Sequence, residues 1–129
     1  MRPAKSIESV FENIIRNETD KAPYLQNVFI ISKTGLIVAG KSLSQIPSET
    51  FSAMVAIIYS SAESAKTEDS KEKLEYVMAI FENKKLFITE FSSNLLIVAT
   101  VDRNVDDVRV LDDLRRITIR AKEELIWLR

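Results

Sequence analysis

Two short runs, Val28-Phe29-Ile30-Ile31 and Leu36-Ile37-Val38-Ala39, constrain this chain more than any other feature. Both are built from β-branched, aromatic and aliphatic residues, so they read as strands, and neither alternates apolar with polar. A strand that is apolar on both faces needs cover on both faces. Between the runs lies Ser32-Lys33-Thr34-Gly35, a polar stretch ending in glycine. That is the pattern of a hairpin whose turn needs positive φ at Gly35.

Three more strands are expected at Leu74–Phe81, Leu86–Phe91 and Leu95–Val101. Glu82-Asn83-Lys84-Lys85 and Ser92-Ser93-Asn94 separate them as short polar turns, which makes the three an antiparallel meander. The first is apolar on both faces: Leu74, Tyr76, Met78 and Ile80 against Val77, Ala79 and Phe81. At the border of a sheet it would be a long adhesive edge, and such edges are normally protected or paired with another chain.

Helical periodicity accounts for the rest. Ile7, Val10, Phe11, Ile14 and Ile15 line one face of a helix with Ser6 as N-cap, and the pattern breaks between Asn17 and Pro23. A second helix opens at Ser48 and Glu49 after a loop from Ser42 to Pro47. Its core stripe reads Phe51, Met54, Val55, Ile58, Tyr59, Ala62 and Ala65. The opposite face reads Ala53, Ala56, Ile57, Ser60 and Ser64 and carries no charge. Small residues let another backbone approach, so this face is expected to meet a partner helix, with Ile57 as the knob. The segment 66–73 reads as a solvated linker. Asp102 or Asn104 is expected to cap the last helix. Its core stripe is Val110, Leu111, Leu114, Ile117, Thr118, Ala121, Leu125 and Leu128, with a sparser second stripe of Val108, Ile119 and Ile126.

The element order is α-β-β-α-β-β-β-α. It predicts one domain over residues 1–129, an α/β (α+β) three-layer sandwich. A single five-stranded, mostly antiparallel sheet would have helices on both faces.

Composition excludes most chemistry. The chain has no Cys, no His and two Gly. It therefore lacks a thiol nucleophile, the commonest general base and any glycine-rich phosphate loop. A net charge of −1 gives no field that favours nucleic acid. No apolar run approaches the ~20 residues of a membrane helix and no signal peptide is read, so a cytoplasmic protein without membrane contact is expected. Asp102-x-Asn104-x-Asp106 copies the opening of a calcium loop, but Asp107 stands where that loop needs glycine. Lys33, Lys41, Lys84 and Lys85 read as solvated turn lysines. Arg115, Arg116 and Arg120 are offset by four nearby Asp. No catalytic residue, metal or cofactor is expected, and the chain is read as no enzyme.

The run Val28-Phe29-Ile30-Ile31-Ser32-Lys33-Thr34-Gly35-Leu36-Ile37-Val38-Ala39 resembles the first hairpin of Roadblock/dynein light-chain domains. The Ala/Ser-rich helix Phe51–Ala65, the meander Leu74–Val101 and the helix after Asp102-Arg103-Asn104 extend the resemblance over nearly the whole chain. Thr34 departs from the Asp that many members have in that turn. The resemblance implies a homodimer, or a heterodimer with a paralogous Roadblock protein, in which second helices pack together and third strands pair edge to edge. The interface would comprise Ala53, Ala56, Ile57, Ser60 and Ser64 with Leu74, Tyr76, Met78 and Ile80. It also implies a non-catalytic regulator or scaffold of a small Ras-like GTPase, in which the partner holds the nucleotide. The alternative is a ligand-sensing or adaptor module of PAS-, GAF- or longin-like architecture. That would need convergent polar groups in the sheet–helix core, which these strands scarcely supply.

Overall fold

β1 (Asn27–Ser32) and β2 (Ile37–Ser42) form the expected hairpin, and Gly35 turns it with φ 98°. In the computed structural model, which describes residues 7–42, 48–66 and 71–127, the other strands are β3 (Tyr76–Ile80), β4 (Lys84–Ser92) and β5 (Leu95–Asp102). They make one sheet in the order β2-β1-β5-β4-β3, antiparallel at every junction. β3 is therefore an edge strand.

The two apolar faces of β1 each have a core. On one side, Val28 and Ile30 join Phe87, Ile97 and Ala99 beneath two helices, α1 (Ile7–Asp20) and α3 (Asp107–Trp127). Phe11 and Ile15 of α1 and Val110, Leu114 and Ile117 of α3 close this layer. On the other side, Phe29 and Ile31 join Leu86, Ile88, Leu96 and Val98 beneath Val55 and Tyr59 of α2 (Ser48–Ser64). The three layers and the eight elements stand as expected.

Several local expectations are corrected. α1 continues through Asn17 to Asp20, because the polar residues of its last turn find partners. The Thr19 hydroxyl donates to the Ile15 carbonyl at 2.6 Å, and Glu18, 3% exposed, pairs with Arg116 of α3 and Lys21. Neither Asp102 nor Asn104 caps α3: β5 runs through Asp102, the Val105 amide donates back to its carbonyl, and the helix starts at Asp107. Leu36 projects from the turn, 70% exposed, rather than joining β2. Lys85 is no solvated turn residue. It lies buried on β4, where its ammonium donates to the Val105 carbonyl and Asp107, tying α3 to the sheet. The helix caps and loops at Ser6, 43–47, 67–70 and Leu128 lie outside the described residues, as do the side chains of Leu125 and Ile126.

Candidate functional site

Between Glu49 and Glu63, α2 carries no charged residue. Val55, Ala56 and Tyr59 turn inward with Ser52, whose hydroxyl donates to the Gly35 carbonyl at 2.6 Å. This bond and the close approach of Gly35 to Ala53 seat the start of α2 on the β1–β2 turn. A Cβ on Gly35 would lie 3.1 Å from the Ala53 Cα. With that face fixed, Met54 (54%), Ile57 (58%) and Ile58 (40%) point outward, flanked by exposed Ala53, Ser60, Ser61 and Ser64. The result is an uncharged face spanning roughly a third or more of the helix circumference at 100° per residue.

The sequence-predicted residues divide accordingly. Ala53, Ile57, Ser60 and Ser64 are exposed as a group, whereas Ala56 is 7% exposed and packed in its own subunit, so it has almost no surface to offer a partner. Met54 and Ile58, expected in the core stripe, are on the surface instead. The signal that could have placed them is Ser52. A serine at the start of a helix can bind the chain it docks on, and its position fixes which arc faces inward.

The second component is the free border of β3. Tyr76 and Ile80 are 37% and 55% exposed. Met78 reaches the core under α1 and α3, and the Tyr76 ring leans on Phe87, centroids 6.4 Å apart. Leu74 sits just before the strand and, with Val77 and Ala79, packs into the cluster that α2 covers. The border strand and the bare helix are thus margins of one core.

Hydrogen-bond alternation defines which groups of β3 are unpaired. The Phe81 amide donates to the Lys84 carbonyl at 2.8 Å, so Phe81/Lys84 is a hydrogen-bonded pair. Moving by two along the register gives Ala79/Leu86 and Val77/Ile88 as the next ones. On the other side of β4 the Arg103 amide donates to the Asn83 carbonyl, which sets the complementary alternation towards β5. Tyr76, Met78 and Ile80 therefore turn their N–H and C=O groups to the open edge.

The charged groups of the site are few. Lys33 pairs with Glu90 at 3.4 Å and lies 5.9 Å from the Tyr59 ring centroid. The Tyr59 hydroxyl is buried without a hydrogen-bond partner among the described residues. Burial, then the charges of Glu90 and Glu63, push its pKa above the usual tyrosine value. Outside this site, burial and the hydrogen bond to Asp113 likewise push Tyr24 up. Both shifts are upward, away from the phenolate, so neither tyrosine is activated as a nucleophile. Among the described residues no cluster of three or more carboxylates could hold a metal ion. Grooves of 410 to 620 Å³ flank α3 and the β5–α3 turn, lined largely by charged side chains such as Arg115, Arg103 and Asp112. No helix among the described residues is long and apolar enough to cross a membrane. What this arrangement offers chemically is a surface for binding.

A family model described as the Roadblock/LC7 domain matches residues 13–101. The chain belongs to the Roadblock/LC7 family. The match spans α1 to β5 and so includes both the bare helix and the border strand. Solved structures share the fold. A Roadblock/LC7 domain from Streptomyces avermitilis is 15% identical with a TM-score of 0.78, covering 89% of this chain and 97% of that one. Myxococcus xanthus MglB is 12% identical with a TM-score of 0.83, covering 100% and 97%. An MglB with a tetrameric arrangement is 15% identical with a TM-score of 0.79, covering 96% and 98%. No curated protein matches the sequence.

Proposed function

We propose that this Roadblock/LC7 chain is a non-catalytic, dimeric regulator or scaffold that binds a small Ras-like GTPase. The observation that carries the reading is the bare outer face of α2, where Met54, Ile57 and Ile58 stand in water with no charge beside them. Large apolar side chains clustered this way mark an interface on a soluble domain. A second copy covers part of this face and the β3 border, giving one sheet that runs through both subunits. The tetrameric arrangement of an MglB of the same fold supports that reading. Membership of the Roadblock/LC7 family supports the GTPase as the further partner. The partner supplies the nucleotide site, and this chain acts by holding the partner's catalytic groups in one arrangement.

Purified protein mixed with Ras-like GTPases from the same genome tests the reading, each GTPase loaded with GDP or a non-hydrolysable GTP analogue. Calorimetry is expected to give micromolar or tighter binding to one of them, with a preference for one nucleotide state. Failure to bind any of them in either state overturns the GTPase assignment.

A further inference from the structure

We infer that the outward crest of α3 is a contact between copies, which join through it as an antiparallel helix pair with its two-fold axis level with Asp113 and Leu114. The contact uses neither the α2 face nor the β3 border, so it does not rest on the dimer proposed above. Among the large apolar side chains exposed in the described residues, Val108 (62%) and Ile119 (51%) are the two outside α2, the β1–β2 turn and the β3 border with its turn. At 100° per residue they stand on the side of α3 opposite its core residues Val110, Leu114 and Ile117. Between them, Asp112 and Arg115 are exposed, and neither has an ion-pair partner among the described residues. The four positions follow one another at spacings of four, three and four, the seam of a two-stranded helix pair. Grooves of 620 and 410 Å³ run along the two sides of Arg115 and Ile119, so the crest stands clear for another helix.

The seam complements itself when the second copy runs antiparallel. Val108 then meets Ile119 of the second copy, Asp112 meets its Arg115, and two-fold symmetry makes each contact twice. Two aliphatic pairs flank a central ring of four alternating charges. A parallel pair would set Asp112 on Asp112 and Arg115 on Arg115, like charge on like. An antiparallel pair shifted by one heptad, its axis level with Ile117, would set Ile119 against Arg115 instead of an aliphatic residue. One step beyond the seam, Lys122 of the second copy arrives over the β5–α3 turn, where Asp106 is exposed. Exposed ion pairs contribute little and the aliphatic patch is small, so the contact is weak, with a Kd of about 1 mM. It acts where copies are already concentrated. Because α3 and α2 cover opposite faces of the sheet, copies joined through α3 keep their α2 faces pointing outward. The contact therefore gathers the binding faces of several copies without masking them.

The chain has no cysteine, which permits a direct test. Val108→Cys, Ile119→Cys and a chain carrying both are oxidised mildly at millimolar concentration and run without reductant. Facing Cα atoms in such a helix pair are about 6 Å apart, within disulfide reach. Positions 108 and 119 lie about 16 Å apart along one helix, too far to bond within a chain or like to like. The expected result is covalently joined chains from the doubly substituted chain and none from either single variant, in wild type and in an Ile57→Arg background alike. Asp112→Arg and Arg115→Asp are each expected to weaken the association seen by sedimentation equilibrium about tenfold, and both in one chain to restore it. Cross-linking by a single variant, or by a chain carrying Asp112→Cys and Lys122→Cys in place of the 108/119 pair, overturns the register. No cross-link from any of them, with no rise in mass at millimolar concentration, overturns the contact and leaves the dimer standing. Association indifferent to the charge substitutions overturns the ion pairing. A cross-linked 108/119 pair in a chain whose wild type keeps single-chain mass at micromolar concentration supports this contact and removes the dimer.

Discussion

The Glu18 carboxylate, in the last turn of α1, accepts a hydrogen bond from Arg116 Nε on α3 at 3.1 Å. The glutamate is buried, and Arg116 extends the link to Asp113, which in turn accepts from the Tyr24 hydroxyl. Two helices that share one apolar core are therefore also joined by charge. Removing Arg116 leaves a buried anion with only the more distant cations Lys21 and Arg120, at 3.3 and 3.9 Å. Arg116→Met is expected to cost about 2 kcal/mol, below the loss for a fully buried pair because Arg116 is half-exposed. Adding Glu18→Gln is expected to recover part of it, which urea denaturation of both variants and their combination checks.

Gly35 joins a positive φ to a steric constraint. Alanine there takes a left-handed conformation, and its Cβ presses on the backbone of α2 at 3.1 Å. Gly35→Ala is expected to lower stability by about 2 kcal/mol and to loosen the seat of α2. Faster hydrogen exchange at the start of α2 would report the second effect. A thermal midpoint equal to wild type would contradict the close approach.

Tyr59 and Tyr24 give a pH dependence with a definite sign. Both are pushed above the ordinary tyrosine value of about 10 in the folded chain, and the unfolded chain keeps that value. Their contribution is fully present below pH 10 and is lost as pH rises from there through the folded values. Stability should fall above pH 10, and Tyr24→Phe with Tyr59→Phe should flatten that fall. At pH 7, Tyr59→Phe alone removes a buried hydroxyl that lacks a partner, so it should be neutral or stabilising by about 1 kcal/mol.

Strands, sheet cover and element order were legible because they depend on local patterns. Val28 to Ile31 is apolar on both faces, and a layer covers each face. The phase of α2 was not legible. With no charge between Glu49 and Glu63, the helix has no polar face to say which side is out, and helical spacing alone fits more than one inward arc. The Ser52–Gly35 hydrogen bond decides the matter, and it spans 17 residues of sequence. Burial of Lys85 was hidden for a similar reason. Its partners, Val105 and Asp107, are 20 and 22 residues away.

That phase yields a prediction separating neighbours in sequence. Ile57→Arg replaces an exposed side chain and should leave monomer stability within about 0.5 kcal/mol of wild type. Ala56→Arg drives a charge into the packed underside of the helix and should cost several kcal/mol or prevent folding. Thermal melts of the two variants check this. Similar stabilities would mean that α2 is rotated relative to the face described above.

The central claim is that the bare α2 face and the β3 border are covered by a second copy. Light scattering across a dilution series, with Ile57→Arg run beside wild type, tests it most directly. Wild type should have twice the chain mass of 14.7 kDa, and Ile57→Arg should fall to that single-chain mass while remaining folded. Wild type at 14.7 kDa at every concentration, or a variant whose mass equals that of a dimeric wild type, would contradict the account.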